Sequence, residues 1–168
     1  YCVDTYLSRE DDIFWEEHPV KSDRPETWKD YNITHYVNDG DTIELGDKVI
    51  YVYSTPGHTP GCLSYIFPVT ENGEIHKAAL WGGTTPPWTK SGIEQYIKSL
   101  NYFIDTAIHQ NVCVALSNHT AIDNGLERIA YSRKRLSYMP NIYIIGLKGF
   151  QKYCQVFRTM SYDILQTL

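Results

Sequence analysis

Between two runs of apolar and β-branched residues, Lys48–Tyr53 and Cys62–Phe67, stands Ser54-Thr55-Pro56-Gly57-His58-Thr59-Pro60-Gly61. Two prolines remove backbone freedom and two glycines admit backbone angles closed to other residues, so the chain must turn here in a fixed way. His58 is thereby placed on a tight loop at strand ends. Such a histidine has two readings: an exposed side chain on an ordinary turn, or an imidazole held still for a metal ion.

Around this turn the sequence alternates strands and helices without repeats or low-complexity segments. Thr42–Leu45 and Lys48–Tyr53 flank Gly46-Asp47 and predict a hairpin; Cys62–Phe67 and Lys77–Trp81, joined through Glu71-Asn72-Gly73, predict another pair. Val3–Leu7 reads as a short strand, with Ser8 and Asp11 capping a helix over Arg9–His18 that Pro19 stops. Ser91–His109 carries Ile93, Tyr96, Ile97, Leu100, Phe103, Ile104 and Ala107 at helical spacing, a stripe for the core. Val112–Leu116 predicts a further strand, and helices are expected over Leu126–Tyr138 and Gly149–Leu168. The polar stretch Lys21–Asn32 reads as a surface loop, where Trp28, Tyr31 and Tyr36 either line a pocket or pack beneath the loop, the second use being preferred.

Asp39-Gly40-Asp41-Thr42-Ile43-Glu44-Leu45-Gly46, the apolar run Val49–Tyr53 and Thr55-Pro56-Gly57-His58-Thr59-Pro60-Gly61 together resemble the metallo-β-lactamase superfamily. In that superfamily a hairpin leads into the loop bearing the third histidine of the metal site, which puts His58 in that place. Ser117-Asn118-His119, after the Val112–Leu116 strand, resembles the family's last ligand position, so His119 is the second expected ligand. Trp81-Gly82-Gly83-Thr84 resembles the subclass B3-like branch, which has a glycine pair where glyoxalase II and the lactonases carry a bridging aspartate. The resemblance implies an α/β chain, part of a four-layer αββα fold and mainly its second half: a mixed sheet with helices on the outer face.

The superfamily's His-x-His-x-Asp-His signature has no counterpart here, since none of the six histidines stand at His-x-His spacing. The opening Tyr1–Asp11 resembles the strand and helix that follow that signature. The expectation is a single domain over 1–168, the C-terminal portion of a longer protein. A catalytic zinc needs about three protein ligands and a water, so one or two zinc ions belong to the full-length form, and binding by His58 and His119 alone is weak or absent. No catalytic residue is assigned, and substrate-binding residues are unknown. Asp123 either approaches the metal or, as preferred here, opens a turn or helix with Asn124 and Gly125. His18, His76 and His109 are read as structural, and His35, beside Tyr36 in the loop, has a better claim than these to the pocket.

The resemblance leaves two function classes. One is a zinc-dependent hydrolase of a small-molecule ester, lactam, thioester or phosphoester; the other is a non-catalytic remnant or binding module. It also implies a partner for the exposed sheet face, either the missing N-terminal half or a homo-oligomer mate. A net charge of -5, with both signs spread along the chain, argues against nucleic acid or an anionic membrane. No apolar run approaches the roughly twenty residues of a membrane span. Localisation is not fixed: a cytoplasmic site is favoured, and a signal peptide stays open. The four cysteines are widely spaced and read as buried thiols.

Overall fold

A computed structural model describes residues 3–18 and 32–168. The predicted helix stop at Pro19, most of the expected 21–32 loop and its Trp28 and Tyr31 lie outside the described residues.

Strand β1 (Tyr6–Leu7) runs into helix α1 (Arg9–Glu17), whose N-cap Ser8 accepts a hydrogen bond from the Asp11 amide. A short strand β2 (His35–Tyr36) pairs with β1 in parallel. It was not foreseen, because two residues show no periodicity. Tyr36 packs on α1: its hydroxyl donates to the Asp12 carboxylate and the Arg9 guanidinium lies 4.2 Å from its ring centre.

The main sheet has five strands in the order β3 (Thr42–Leu45), β4 (Lys48–Ser54), β5 (Leu63–Glu71), β6 (Glu74–Leu80) and β7 (Val114–Leu116). The first three pairings are antiparallel and β6–β7 is parallel. A parallel pair requires a long crossover, and α2 (Lys90–His109), capped by Thr89, supplies it. The Asp39-Gly40-Asp41 stretch knots the entry to β3: Asp39 accepts from the Ser54 amide (2.8 Å) and the Tyr102 hydroxyl (3.1 Å), and Asp41 accepts from the Asn38 amide (2.7 Å).

Alternation decides which side of the sheet is covered. Ile66, Ala79 and Ala115 stand in register on one face, where α2 and α4 (Gly146–Thr167) pack with Ile93, Leu100, Phe103, Phe150 and Phe157. Each such large side chain contributes about 1.5–3 kcal/mol by leaving water. The opposite face carries Val52, Tyr65, Leu80 and Leu116 in register, with Ile50 and Leu63 beside them. Of these only Val52 is buried and the rest are half-buried. The expected mixed sheet with helices on one outer face is therefore present.

Several boundaries differ from expectation: β1 keeps only Tyr6–Leu7 of the expected Val3–Leu7, and the β5–β6 hairpin is longer, with β5 running on to Glu71 and β6 starting at Glu74. Helix α3 spans Gly125–Lys134, four residues shorter at its end, because Arg135 is extended, donating to the Met139 carbonyl (2.7 Å) and to the Glu71 carboxylate. Helix α4 begins three residues early, at Gly146. Cys62 and Cys154 are buried as expected, whereas Cys113 is half-buried.

Candidate metal-ligand loop and its cleft

The 54–62 turn is held from four sides. At its base the Thr55 amide donates to the Cys62 carbonyl (2.7 Å), and the Thr55 hydroxyl pairs with that of Ser64 (2.8 Å), both side chains fully buried. From α2, Ser99 donates to the Pro56 carbonyl (2.7 Å). Gly57 has φ +141°, and a Cβ there would stand 2.5 Å from the Tyr96 Cα, so the loop packs directly on the helix backbone. From α1, the Asp11 carboxylate accepts from the Thr59 hydroxyl (2.8 Å) and the Gly61 amide (2.7 Å).

The fourth side fixes the imidazole. His58 Nδ1 lies 2.7 Å from the Thr85 carbonyl oxygen. A carbonyl can only accept, so Nδ1 carries a proton, and in the neutral imidazole Nε2 keeps its lone pair. That is the arrangement of a metal-bound histidine, whose other nitrogen donates to a backbone carbonyl or carboxylate. His18 and His109 also bond through Nδ1, but to carbonyls four residues earlier in their own helices. Only the His58 bond joins distant segments among these three. The segment after Gly82-Gly83, which carries Pro86 and Pro87, thus reaches His58.

His119 lies past the end of β7, exposed, in a turn made by its neighbours. Its amide donates to the Ser117 hydroxyl (3.0 Å), which in turn donates to the His119 carbonyl (3.1 Å). Asn118 donates to the Gly82 carbonyl (3.3 Å), and the Gly82 amide donates to Ser64 (3.0 Å). A cleft of about 470 Å³ joins these parts, lined by His58, Asp11, Tyr65, Leu80, Gly82 and Asn118. The structure therefore brings His58 and the residue preceding His119 to one cavity, while the His119 side chain is not part of its wall. A larger groove of about 590 Å³, between Trp88 and α4, holds none of the sequence-predicted site residues.

Other groups are settled by their contacts. Asp123 pairs with Arg128 (2.7 Å), and Asn124 stands at the start of α3 with a left-handed backbone and no capping side-chain bond, the turn role preferred from sequence. Cys62 also lines the cleft, but burial pushes its thiol up to about 11, so it is protonated at neutral pH. Asp11, Ser99 and the Thr85 carbonyl were missed as parts of the site. Asp11 reads in sequence only as a first-turn acid, and nothing local announces bonds to residues 48 and 50 positions away.

As a metal centre this set is incomplete. Among the described residues no group of three or more His, Cys, Asp or Glu side chains is placed to hold an ion. His58 fits as one donor, and the described residues do not by themselves make the three-ligand minimum.

Comparison with known proteins gives the fold. Native FEZ-1 metallo-β-lactamase from Legionella gormanii superposes with a TM-score of 0.74 at 17% identity over 98% of this chain. BJP-1, a subclass B3 enzyme of Bradyrhizobium japonicum, gives 0.67 at 16% over 98%, and the class B3 di-zinc enzyme LRA-12 from an Alaskan soil metagenome 0.68 at 14% over 97%. The chain has the metallo-β-lactamase fold. It spans 65%, 65% and 64% of those three structures. In sequence, 40 residues, or 24% of the chain, are 48% identical to the hydroxyacylglutathione hydrolase of Crocosphaera subtropica (strain ATCC 51142 / BH68). A further match, 48% over 42 residues, or 25% of the chain, is to a probable metallo-hydrolase of Burkholderia pseudomallei (strain 1710b). These matches cover only 16% and 14% of the relatives' lengths. No family model matches the chain. The curated relatives are thus a hydroxyacylglutathione hydrolase and a probable metallo-hydrolase, and the whole-chain likeness is to metallo-β-lactamases.

Proposed function

We propose that residues 1–168 are the C-terminal portion of a zinc-dependent hydrolase of the metallo-β-lactamase superfamily, B3-like in branch, in which His58 and His119 are two of the metal ligands. The supporting observation is the bond from His58 Nδ1 to the Thr85 carbonyl, which leaves Nε2 as the free donor. When bound, zinc in such a site supplies an activated water and polarises the bond to be cleaved. The work of this chain is to hold the imidazole: Thr85 sets its tautomer, while Asp11 and Ser99 fix the loop that carries it. The other ligands come from residues beyond those described, and the half-buried apolar face of Tyr65, Leu80 and Leu116 receives either an N-terminal half or a second copy. The substrate is a small ester, lactam, thioester or phosphoester, and the location cytoplasmic. No helix of the described residues is long and apolar enough to cross a membrane.

A second reading, a remnant that keeps the fold without a working centre, is favoured by the lack of a three-donor group among the described residues. Elemental analysis of the natively purified protein separates the two. The hydrolase reading expects one or two zinc ions per chain, with His58→Ala and His119→Ala each lowering occupancy while the melting temperature of the metal-free form stays put. Metal-free protein, or occupancy indifferent to both substitutions, establishes the remnant reading.

A further inference from the structure

A different group of reactive side chains lies at the opposite end of β6. His76, near its start, is six residues from Gly82, roughly 20 Å along an extended strand. Its Nδ1 is 3.7 Å from Cys113 Sγ, and its Nε2 is 4.0 Å from the Glu74 carboxylate. Cys113 is pinned on both sides: its amide donates to the Lys77 carbonyl (3.0 Å), and its carbonyl accepts from the amides of Ile145 (2.9 Å) and Gly146 (3.1 Å). The sulfur is thus held against the imidazole by backbone bonds from β6 and from the start of α4.

Cys113 also differs from the buried thiols. Burial pushes Cys62 up to about 11 and Cys154 up to about 12, leaving both protonated and shielded at neutral pH. Cys113 is half-buried, short of the full burial of those two, and its partner His76 lines a cleft open to solvent. Beside His76 is a polar cleft of about 390 Å³, walled by Glu74, Asn72, Arg135 and Asn141. The charged groups facing the pair are Glu74 on β6, Glu71 across the hairpin and Arg135, itself bonded to Glu71; the Lys77 ammonium is directed to Gln110 (3.1 Å).

We propose that Cys113 and His76 form a thiol–imidazole pair that undergoes exchange with small polar disulfides, making Cys113 a modification site separate from the His58 cleft. His76 Nδ1 takes the thiol proton, and Sγ attacks one sulfur of the incoming disulfide. The disulfide's S–S bond breaks as the Cys113 S–S bond forms, and the departing thiolate takes the proton from the imidazolium. One mixed disulfide and one free thiol result.

The test is incubation of the native protein with oxidised glutathione at neutral pH, followed by peptide mass spectrometry that resolves Cys2, Cys62, Cys113 and Cys154. The expected result is one glutathionyl group on Cys113, added roughly tenfold faster than to Cys113 in the urea-unfolded chain. That lies below the hundredfold or more of a well-aligned base, in keeping with the long Sγ–Nδ1 separation. His76→Ala removes most of this advantage. His76→Asn, which keeps a polar group of similar reach but no base, does the same, and covers the case in which His76→Ala fails to fold. Reaction at Cys113 no faster than in the unfolded chain, or equally fast in a folded His76 variant, overturns the proposal.

Discussion

The loops bearing His58 and His119 stand at one end of the same sheet, yet they are held in different ways. The His58 loop is tied by bonds from α1, α2 and the segment after β6, through Asp11, Ser99 and Thr85, each spanning 27 or more residues. The His119 turn is closed by Ser117, two residues away, and by the Ile122 amide on the His119 carbonyl (3.0 Å), and reaches the rest of the sheet through the Asn118–Gly82 bond. Tertiary bonds fix an imidazole only when the whole domain is folded, whereas a local turn forms early and moves easily. One position is therefore preorganised by the whole domain, and the other is held mainly by its own turn.

The largest way to break this contrast is Gly57→Ala. Its Cβ would stand 2.5 Å from Tyr96 Cα and 2.7 Å from Tyr96 Cβ, at a backbone angle that L-residues rarely adopt. Neither the helix backbone nor the fixed loop can yield cheaply, so stability should fall by about 3 kcal/mol or more. Urea unfolding measures it. A loss below about 1 kcal/mol would show that the loop relaxes away from α2 and is not preorganised.

The next effect is Asp11→Ala. It removes two hydrogen bonds to a partly buried carboxylate, a loss of about 2 kcal/mol, and frees the Gly61 amide. Because Asp11 also favours the N-terminus of α1, Glu10→Ala serves as control: it removes an exposed acid from the same helical turn. Hydrogen exchange should show Gly61 speeding up in Asp11→Ala and unchanged in Glu10→Ala. Equal effects would mean that Asp11 acts on the helix and leaves the loop alone.

These two residues also mark how far the sequence can be read. Pro56, Gly57, Pro60 and Gly61 announce a rigid turn because their constraints are local, and the seven apolar positions of α2 announce a buried face because their spacing repeats. His119 could be placed from the apolar run that precedes it. What escaped were groups whose role has no local cause. Asp11 looks like any first-turn acid, the Thr85 acceptor is a backbone atom with no residue identity, and β2 is two residues paired to a strand 29 positions earlier. Arg135 shows the converse error: the expected α3 runs too far, since Arg135 is extended and its guanidinium bonds the Met139 carbonyl four residues on and the Glu71 carboxylate 64 residues earlier.

The smallest effect sharpens the comparison from its weaker side. Ser117→Ala deletes the two side-chain bonds in the His119 turn and leaves the Ile122 amide on the His119 carbonyl (3.0 Å); His119 is exposed and water replaces the lost bonds, so the cost is about 0.5–1 kcal/mol. The informative readout is again local: His119 amide exchange should accelerate while Gly61 stays protected, since no bond runs from Ser117 to the 54–62 loop. The Asp11→Ala protein should give the mirror image, with Gly61 exposed and His119 unaltered. If Ser117→Ala instead loosens Gly61, the Asn118–Gly82–Ser64 hydrogen bonds couple the two loops, and His58 is held by the state of the His119 turn as well as by Asp11, Ser99 and Thr85.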